Sequence, residues 1–352
     1  MNEQVTNIST RKDEHLRICL EEQVSSRVPN GFDKVHLQVS ALPEIDLAKI
    51  DTSSQILGKK LDAPILISSM TGGSGKTKYF NQLLSQAAGE FNIAMGVGSQ
   101  RAALIHDGLE DTFAIARKEA PNALLFANIG VAQLNEGFGV GDCLKAVDML
   151  EADALFIHLN ALQEALQPEG NRDFTYLLKK IEAITRSLPV PVVVKEVGCG
   201  IDKKTARSLV DVGVRGIDVA GVGGTSWAAV EMYRQTDPVR KALCETYIDW
   251  GIPTAEALKG LNELPSDILK ISSGGLRSGL DVAKSIALGA DLAGFARKFI
   301  IAANSGYEIL KNTIELIILE LKVAMFVSGS TDLISLQSKV EMERDDDRKS
   351  DF

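Results

Sequence analysis

Eight apolar, β-rich runs recur along the chain, at 64–69, 92–97, 123–128, 154–159, 191–196, 216–220, 268–272 and 291–296. Runs such as Ala154-Leu155-Phe156-Ile157 and Val192-Val193-Val194 do not alternate with polar residues, so both of their faces must be buried. Segments long enough for helices separate them, including 81–88, 205–210 and 280–289. Apolar strands alternating with helices specify a parallel sheet. Eight such units over roughly 240 residues match the about 250 of a (β/α)8 barrel, the expected α/β fold. A doubly wound open sheet usually has fewer strands and ranks second. The 221–267 interval is longer than the others and is expected to hold an extended loop and one helix around Thr254–Leu258. Residues 307–327 read as a closing amphipathic helix.

In a barrel, the C-terminal strand ends form the active-site face. Here those ends read Met70-Thr71-Gly72-Gly73, Ser99-Gln100-Arg101, Asn128, His158-Leu159-Asn160, Lys195-Glu196, Gly223-Gly224-Thr225, Ser273-Gly274-Gly275-Leu276-Arg277 and Ala296-Arg297. After the fourth run, an imidazole, two carboxamides and a carboxylate fall within seven residues, His158 to Glu164. One such cluster would pass for a polar loop with a solvated Glu; repetition over several strands points to a site. Lys195 ends a strand too apolar for a solvated ammonium and needs an anionic partner, either a neighbour such as Glu196 or a bound anion. Gly274 and Gly275, followed by Arg277 and a helical pattern, suit a phosphate: backbone N–H groups can approach it and the helix N-terminus favours negative charge. Arg297, after the eighth strand, could add charge. Arg11, Lys12 and His15 on a first helix, with Ser99-Gln100-Arg101, would suit a diphosphate if the fold brings them together.

The totals limit the function class. A net charge of −9 and a pI of about 5.2 argue against a nucleic-acid-binding surface. The four cysteines, Cys19, Cys143, Cys199 and Cys244, are widely spaced, which fits a reduced compartment better than disulfides or zinc. The N-terminus is polar and no apolar run approaches the ~20 residues of a membrane span, so a cytoplasmic, soluble protein is expected. Thr71-Gly72-Gly73-Ser74-Gly75-Lys76-Thr77 imitates a nucleotide-binding P-loop, but Met70 stands where that motif needs its first glycine. Gly221-Val222-Gly223-Gly224 likewise lacks dinucleotide-binding spacing.

The motifs Arg11-Lys12-x-x-His15, Met70-Thr71-Gly72-Gly73, Ser99-Gln100-Arg101 and His158-Leu159-Asn160-x-x-Gln163-Glu164 with Gln167-Pro168-Glu169-Gly170 occur in this order. They are followed by Lys195-Glu196-Val197-Gly198, Gly223-Gly224-Thr225-Ser226-Trp227 and Ser273-Gly274-Gly275-Leu276-Arg277-Ser278-Gly279. Together, from about residue 10 to 300, they closely resemble the flavin-dependent, type 2 isopentenyl-diphosphate isomerases. The chain departs from many members at Asn171, where they carry Asp, a position expected outside the catalytic cluster.

The resemblance implies FMN, Mg²⁺, NAD(P)H as reductant of the flavin, and a homo-oligomer, tetrameric or octameric. It implies that Ser69, Met70, Thr71, Gly72, Ser99, Asn128, Lys195, Thr225, Gly274, Gly275, Leu276, Arg277, Ala296 and Arg297 line FMN. Arg11, Lys12, His15, Ser99, Gln100, Arg101 and Gln163 would bind substrate, and Glu164 would hold the metal. His158, Asn160, Gln163, Lys195 and Glu231 would form the catalytic set. The expected division is a substrate-binding extension at 1–60, the barrel at 61–330 and a flexible charged tail at 331–352. A 2-hydroxy-acid oxidase on the same barrel is the nearest alternative; a catalytically silent phosphate-binding barrel is the more distant one.

Overall fold

The computed structural model describes residues 3–342. All eight apolar runs become strands: β1 Ile65–Ile67, β2 Ala94–Gly96, β3 Leu125–Gly130, β4 Ala154–His158, β5 Val192–Lys195, β6 Gly216–Asp218, β7 Leu269–Ser273 and β8 Leu292–Phe295. They pair in parallel in chain order, and β8 closes on β1 through Ala293–Ile65, Gly294–Leu66 and Phe295–Ile67. The chain therefore forms the (β/α)8 barrel that its rhythm requires.

The missing polar alternation has a direct cause. Leu66, Ala94, Phe126, Ala154, Phe156, Val193, Leu269, Ile271 and Leu292 form one buried cluster. Their strand neighbours Ile65, Ile67, Met95, Leu125, Ala127, Leu155, Ile157, Val192, Val194, Ile217 and Ala293 belong to a second, with apolar faces of the flanking helices. Each strand thus faces an apolar layer on both sides. The rings of Phe126 and Phe156 stack with centroids 4.3 Å apart. Ile56 and Leu61 join their cluster from a hairpin that pairs Ser54–Ile56 with Lys59–Leu61.

The N-terminal helix Glu3–Glu21 packs against the helices Trp227–Arg234 and Arg297–Asn304. Arg297 anchors its C-terminal end: Nε donates to the Cys19 carbonyl at 2.7 Å and Nη2 to the Glu22 carbonyl at 2.9 Å. Ser74 Oγ donates to Asp13 at 2.6 Å nearer its middle. The P-loop lookalike is a helix start. Ser74 accepts from the Thr77 amide and Thr77 Oγ1 accepts from the Ser74 amide, a capping box on Gly75–Glu90, while Lys76 is exposed.

Two segments differ from the sequence reading. The 221–267 interval carries three helices, Trp227–Arg234, Pro238–Thr246 and Thr254–Gly260, rather than a loop and one helix. Ser226 and Asp237 cap the first two and Pro238 opens the second, which are ordinary start signals. Within the segment read as a tail, Leu333–Gln337 is helical and Val340–Met342 pairs antiparallel with Val35–Leu37. The charged run 344–351 lies outside the described residues. The helix Tyr307–Val327 matches its expected limits, and among the described residues no helix is long and apolar enough to cross a membrane.

The stacked pair gives a stability test. Phe156→Ala leaves a void in the barrel interior and is expected to cost about 3–5 kcal/mol. Urea unfolding followed by circular dichroism should show a lower midpoint at unchanged slope; an unshifted midpoint would mean that this layer is not packed as described.

Candidate active site

At the C-terminal end of the barrel lies a cavity of two lobes that share Ser69, Met70, Lys195, Val197 and Trp227 as a common wall. The larger lobe, about 380 Å³, falls within the ~300–1,000 Å³ range of small-molecule sites. Its walls are Ser68, Ala220, Gly223-Gly224-Thr225, Ser273 to Arg277 and Gly294 to Lys298. The smaller lobe, about 140 Å³, is bounded by Arg11, Lys12, His15, Ser99, Arg101, Asn128, Gln133, His158, Asn160, Gln163, Glu164 and Gln167. A groove of about 510 Å³ lined by Ser53–Ile56 and Leu333, Ile334 and Gln337 contains none of the strand-end residues.

Strand register assembles the floor. Gly130 pairs with His158, His158 with Lys195 and Lys195 with Asp218, so these strand ends form one layer. Asn128 Nδ2 donates to the Val97 carbonyl at 3.0 Å, which turns its Oδ1 toward His158 Nδ1 at 2.9 Å. The imidazole proton therefore sits on Nδ1, and Nε2 keeps its lone pair. Burial holds the His158 pKa down, to about 3, and the charges of Lys195 and Lys12 add to this, so the ring is neutral near neutral pH.

Lys195 is buried and donates to the Glu196 carbonyl at 2.6 Å. Burial lowers its pKa, while the Asp218 and Glu196 carboxylates oppose that shift. Asp218 is fully buried, accepts from Ser273 Oγ at 2.6 Å, and its other oxygen has no partner. Glu196 points elsewhere: one oxygen accepts the amides of Val197, Gly198 and Cys199 at 2.5–2.6 Å, and burial raises its pKa to about 7.

The helix Glu3–Glu21 supplies cations to the smaller lobe. Lys12 Nζ donates to the carbonyls of Gly72 and Ser99, both at 2.6 Å, and sits 5.3 Å from the Phe113 ring centroid. Burial lowers its pKa to about 7, with the Arg11 and Arg101 charges adding to the effect. His15 Nε2 meets Glu231 Oε1 at 2.9 Å, and its ring stands edge-on to Trp227. Arg101 pairs with Glu136 at 2.9 Å while its Nε has no partner.

On the wall of the same lobe, the short helix Ala161–Leu166 carries Gln163 and Glu164. Glu164 is 5% exposed; it accepts from Asn160 Nδ2 at 3.0 Å, Gln167 Nε2 at 2.7 Å and the Asn171 amide at 2.7 Å. Asn171 therefore does touch the site, contrary to the sequence expectation, but through a main-chain N–H that Asp would also supply. Among the described residues no three His, Cys, Asp or Glu side chains cluster as a self-sufficient metal site. Mg²⁺ needs only one or two carboxylates when substrate phosphates complete its shell. Glu164, beside the unpartnered Asn160 Oδ1, fits that arrangement.

The larger lobe fits a flavin with a phosphate tail. The hydroxyls of Ser68 and Ser69 are buried, unpartnered and on its wall. Gly275 has φ of 79°, and a Cβ there would collide with the Gly223 carbonyl, so the two glycine turns close into a backbone cradle. The helix after this cradle is not free to bind an anion: Asp281 already accepts the Arg277 amide at 2.8 Å and Glu320 the Gly279 amide at 2.6 Å. Of the groups expected around a phosphate, the Gly274–Gly275 turn remains on the cavity wall, and the helix Arg297–Asn304 that starts there has no side-chain cap.

Most of the expected site residues border the two lobes; a few do not. Thr71 and Gly72 border an adjoining cavity of about 50 Å³, and Thr71 Oγ1 is engaged by Asn81 at 2.5 Å. Gln100 is fully buried behind the site; it accepts the Asn128 amide and donates to the Ala146 carbonyl, both at 2.8 Å. Glu231 sits behind His15 and borders neither lobe. Arg277 is exposed at the rim, and the guanidinium of Arg297 is committed to the N-terminal helix. Gln133, Gln167, Val197 and Trp227 were missed as site residues although each lies near an identified strand end. Asp218 was missed because it ends a run read only as an apolar strand.

This combination of barrel and cavity is that of a flavin-family barrel enzyme. A family model described as FMN-dependent dehydrogenase matches residues 148–342. A structure of mutant flavocytochrome b2 with pyruvate bound is similar at TM-score 0.69 and 19% identity, covering 96% of this chain and 85% of that one. A mandelate oxidase mutant with the monooxide FMN adduct is similar at TM-score 0.65 and 18% identity, covering 97% of this chain and 100% of that one. At such identities these likenesses speak to the fold. The isopentenyl-diphosphate delta-isomerase of Nostoc sp. (strain PCC 7120 / SAG 25.82 / UTEX 2576) is 48% identical over 336 residues, 95% of this chain and 96% of that protein. That of Rickettsia africae (strain ESF-5) is 47% identical over 326 residues, 93% and 95% of the two chains. The chain belongs to the type 2 isopentenyl-diphosphate delta-isomerase family within the FMN-dependent group.

The state of His158 is measurable. Between its folded value of about 3 and the ordinary 6.5, the unfolded chain binds the extra proton, so this group's contribution to stability is complete above 6.5 and is lost as pH falls toward 3. Histidine NMR on the protein against His158→Gln should show that the missing resonance does not titrate between pH 5 and 8. A midpoint inside that range would contradict the buried neutral ring.

Proposed function

We propose that the chain interconverts isopentenyl and dimethylallyl diphosphates by a 1,3-allylic proton shift. FMN would occupy the larger lobe and the substrate diphosphate the smaller one. The observation that carries this reading is the set of charges around one lobe: Arg11, Lys12 and Arg101 line it together with His15 and a single buried carboxylate, Glu164. Several basic side chains with one carboxylate able to bind Mg²⁺ suit a diphosphate–metal pair better than a lone carboxylate substrate.

The reaction adds a proton to one carbon and removes one from another. Protonating an isolated alkene creates a tertiary cation, so that charge must be met electrostatically where it develops. When bound and reduced, FMN supplies an electron-rich face for this and a nitrogen able to carry a proton. Lys195, on the wall between the lobes, would favour an anionic reduced cofactor. Ser69, Met70, Thr225 and the 274–276 turn would orient it, with Ala296 and Lys298 beside the phosphate. Asn160 and neutral His158 would hold the diphosphate with Arg11, Lys12, Ser99 and Arg101. Gln163 is a poor acid or base and would position the alkene. Glu231 would act through His15 by fixing its ring.

NAD(P)H would reduce the flavin as an activation step, since isomerisation changes no electron count. A cytoplasmic homo-oligomer also belongs to this reading. Its support is a stripe of exposed apolar residues on the helix Tyr307–Val327: Ile309, Leu316, Leu319, Val323 and Val327.

The His15–Glu231 pair is also what a hydroxy-acid oxidase would use as its base, and the two readings separate cleanly. With chemically reduced FMN in D₂O, isopentenyl diphosphate should yield deuterated dimethylallyl diphosphate. No product and no deuterium uptake, together with anaerobic bleaching of oxidised flavin by a 2-hydroxy acid, would replace isomerase by oxidase. Glu164→Gln should weaken the Mg²⁺ dependence and raise KM for the diphosphate while FMN binding is retained; equal Mg²⁺ response in parent and variant would remove Glu164 from the metal site.

A further inference from the structure

Arg234 lies outside both lobes, yet it bonds three carboxylates from three segments. Its Nη1 donates to Glu231 at 2.6 Å within its own helix, Nε to Glu14 on the N-terminal helix at 2.9 Å, and Nη2 to Glu169 at 2.9 Å. Its side chain is 12% exposed. Glu169 follows the helix bearing Gln163 and Glu164, and the same oxygen also receives Arg11 Nη1 at 3.4 Å.

The other anchors of the N-terminal helix have a different reach. Arg297 holds its C-terminal end and Ser74 holds Asp13. Arg234 joins the cation-bearing helix to the segment that carries Glu164. It therefore ties together two segments that both line the smaller lobe. We propose that Arg234 is a positioning residue that sets the separation between the side chains of Arg11, Lys12 and His15 and the Glu164 carboxylate. It adjusts the smaller lobe to a diphosphate–metal pair without touching either. The inference rests on the diphosphate reading of that lobe.

The energetics favour a role for this Arg over an ordinary surface pair. Isolated exposed ion pairs contribute little. Here Glu231 is fully buried, so loss of Arg234 strips a buried carboxylate of one of its two partners. Lysine carries its three donors on one compact nitrogen, so it does not reproduce the span of the guanidinium, whose Nε, Nη1 and Nη2 each reach a different carboxylate.

The test measures two affinities on the full chain. Arg234→Gln should weaken binding of inorganic pyrophosphate with Mg²⁺ by at least about tenfold, equal to about 1.4 kcal/mol, and leave FMN affinity at the parent value. Arg234→Lys should recover only part of the loss. Because the Gln variant strands Glu231, Glu14→Ala combined with Glu169→Ala provides a second route: it removes the two outer acceptors and leaves Arg234 paired with the buried Glu231. It should weaken pyrophosphate in the same direction and raise KM more than it changes kcat. Parent-like pyrophosphate affinity in both variants overturns the inference. So does a parallel loss of FMN and pyrophosphate, which would mark a general loss of structure. A parent protein that binds FMN but no pyrophosphate would overturn the diphosphate reading instead.

Discussion

Closure of the barrel is the constraint on which the rest depends. A parallel ladder leaves no choice of which residues end up side by side once its register is set. In this chain the register places His158, Lys195 and Asp218 beside one another at consecutive strand ends. That layer is polar, while the layers beneath it are apolar and stacked around Phe126 and Phe156. The polar layer is thus held against an incompressible support, and burial does the electrostatic work. It keeps His158 neutral and disfavours the Lys195 ammonium, so that a negatively charged ligand becomes the natural complement of the site.

The barrel alone supplies the smaller lobe with Arg101 and Lys195. The N-terminal helix adds the others. It brings Arg11, Lys12 and His15 over the strand ends, and Lys12 is secured by carbonyls from the ends of two different barrel strands. The larger lobe is therefore walled largely by backbone turns of the barrel, and the smaller lobe by strand-end side chains together with three from an added helix. On a barrel fold shared with flavocytochrome b2 and mandelate oxidase, the larger lobe thus rests on a backbone cradle, and the smaller lobe gains the side chains that the N-terminal helix lays across it.

Much of the fold was legible because it rests on local pattern. Eight uninterrupted apolar runs admit few solutions other than a sheet covered on both faces, and their number and spacing favour a closed barrel over an open one. Helix starts were legible too, and those at Ser226 and Asp237-Pro238 were simply not read. Site residues at strand ends followed from the same rule. Gln100 lines neither lobe: its carboxamide is used to fix Asn128. Arg297 does line the larger lobe, but its guanidinium is used to hold the N-terminal helix. A polar side chain near a site looks the same in sequence whether it faces the ligand or supports a residue that does.

From its order of residues alone, the chain determines a parallel barrel, a polar rim at one end and the residue types that rim contains. These are consequences of hydrophobic period and of the direction in which parallel strands run. Tertiary structure alone decides which charges meet. Arg234 reaches Glu14 and Glu169 across 220 and 65 positions of sequence. Arg297 finds the end of a helix 278 residues away. Contacts at such separations depend on where closure puts each segment, and no local propensity encodes that.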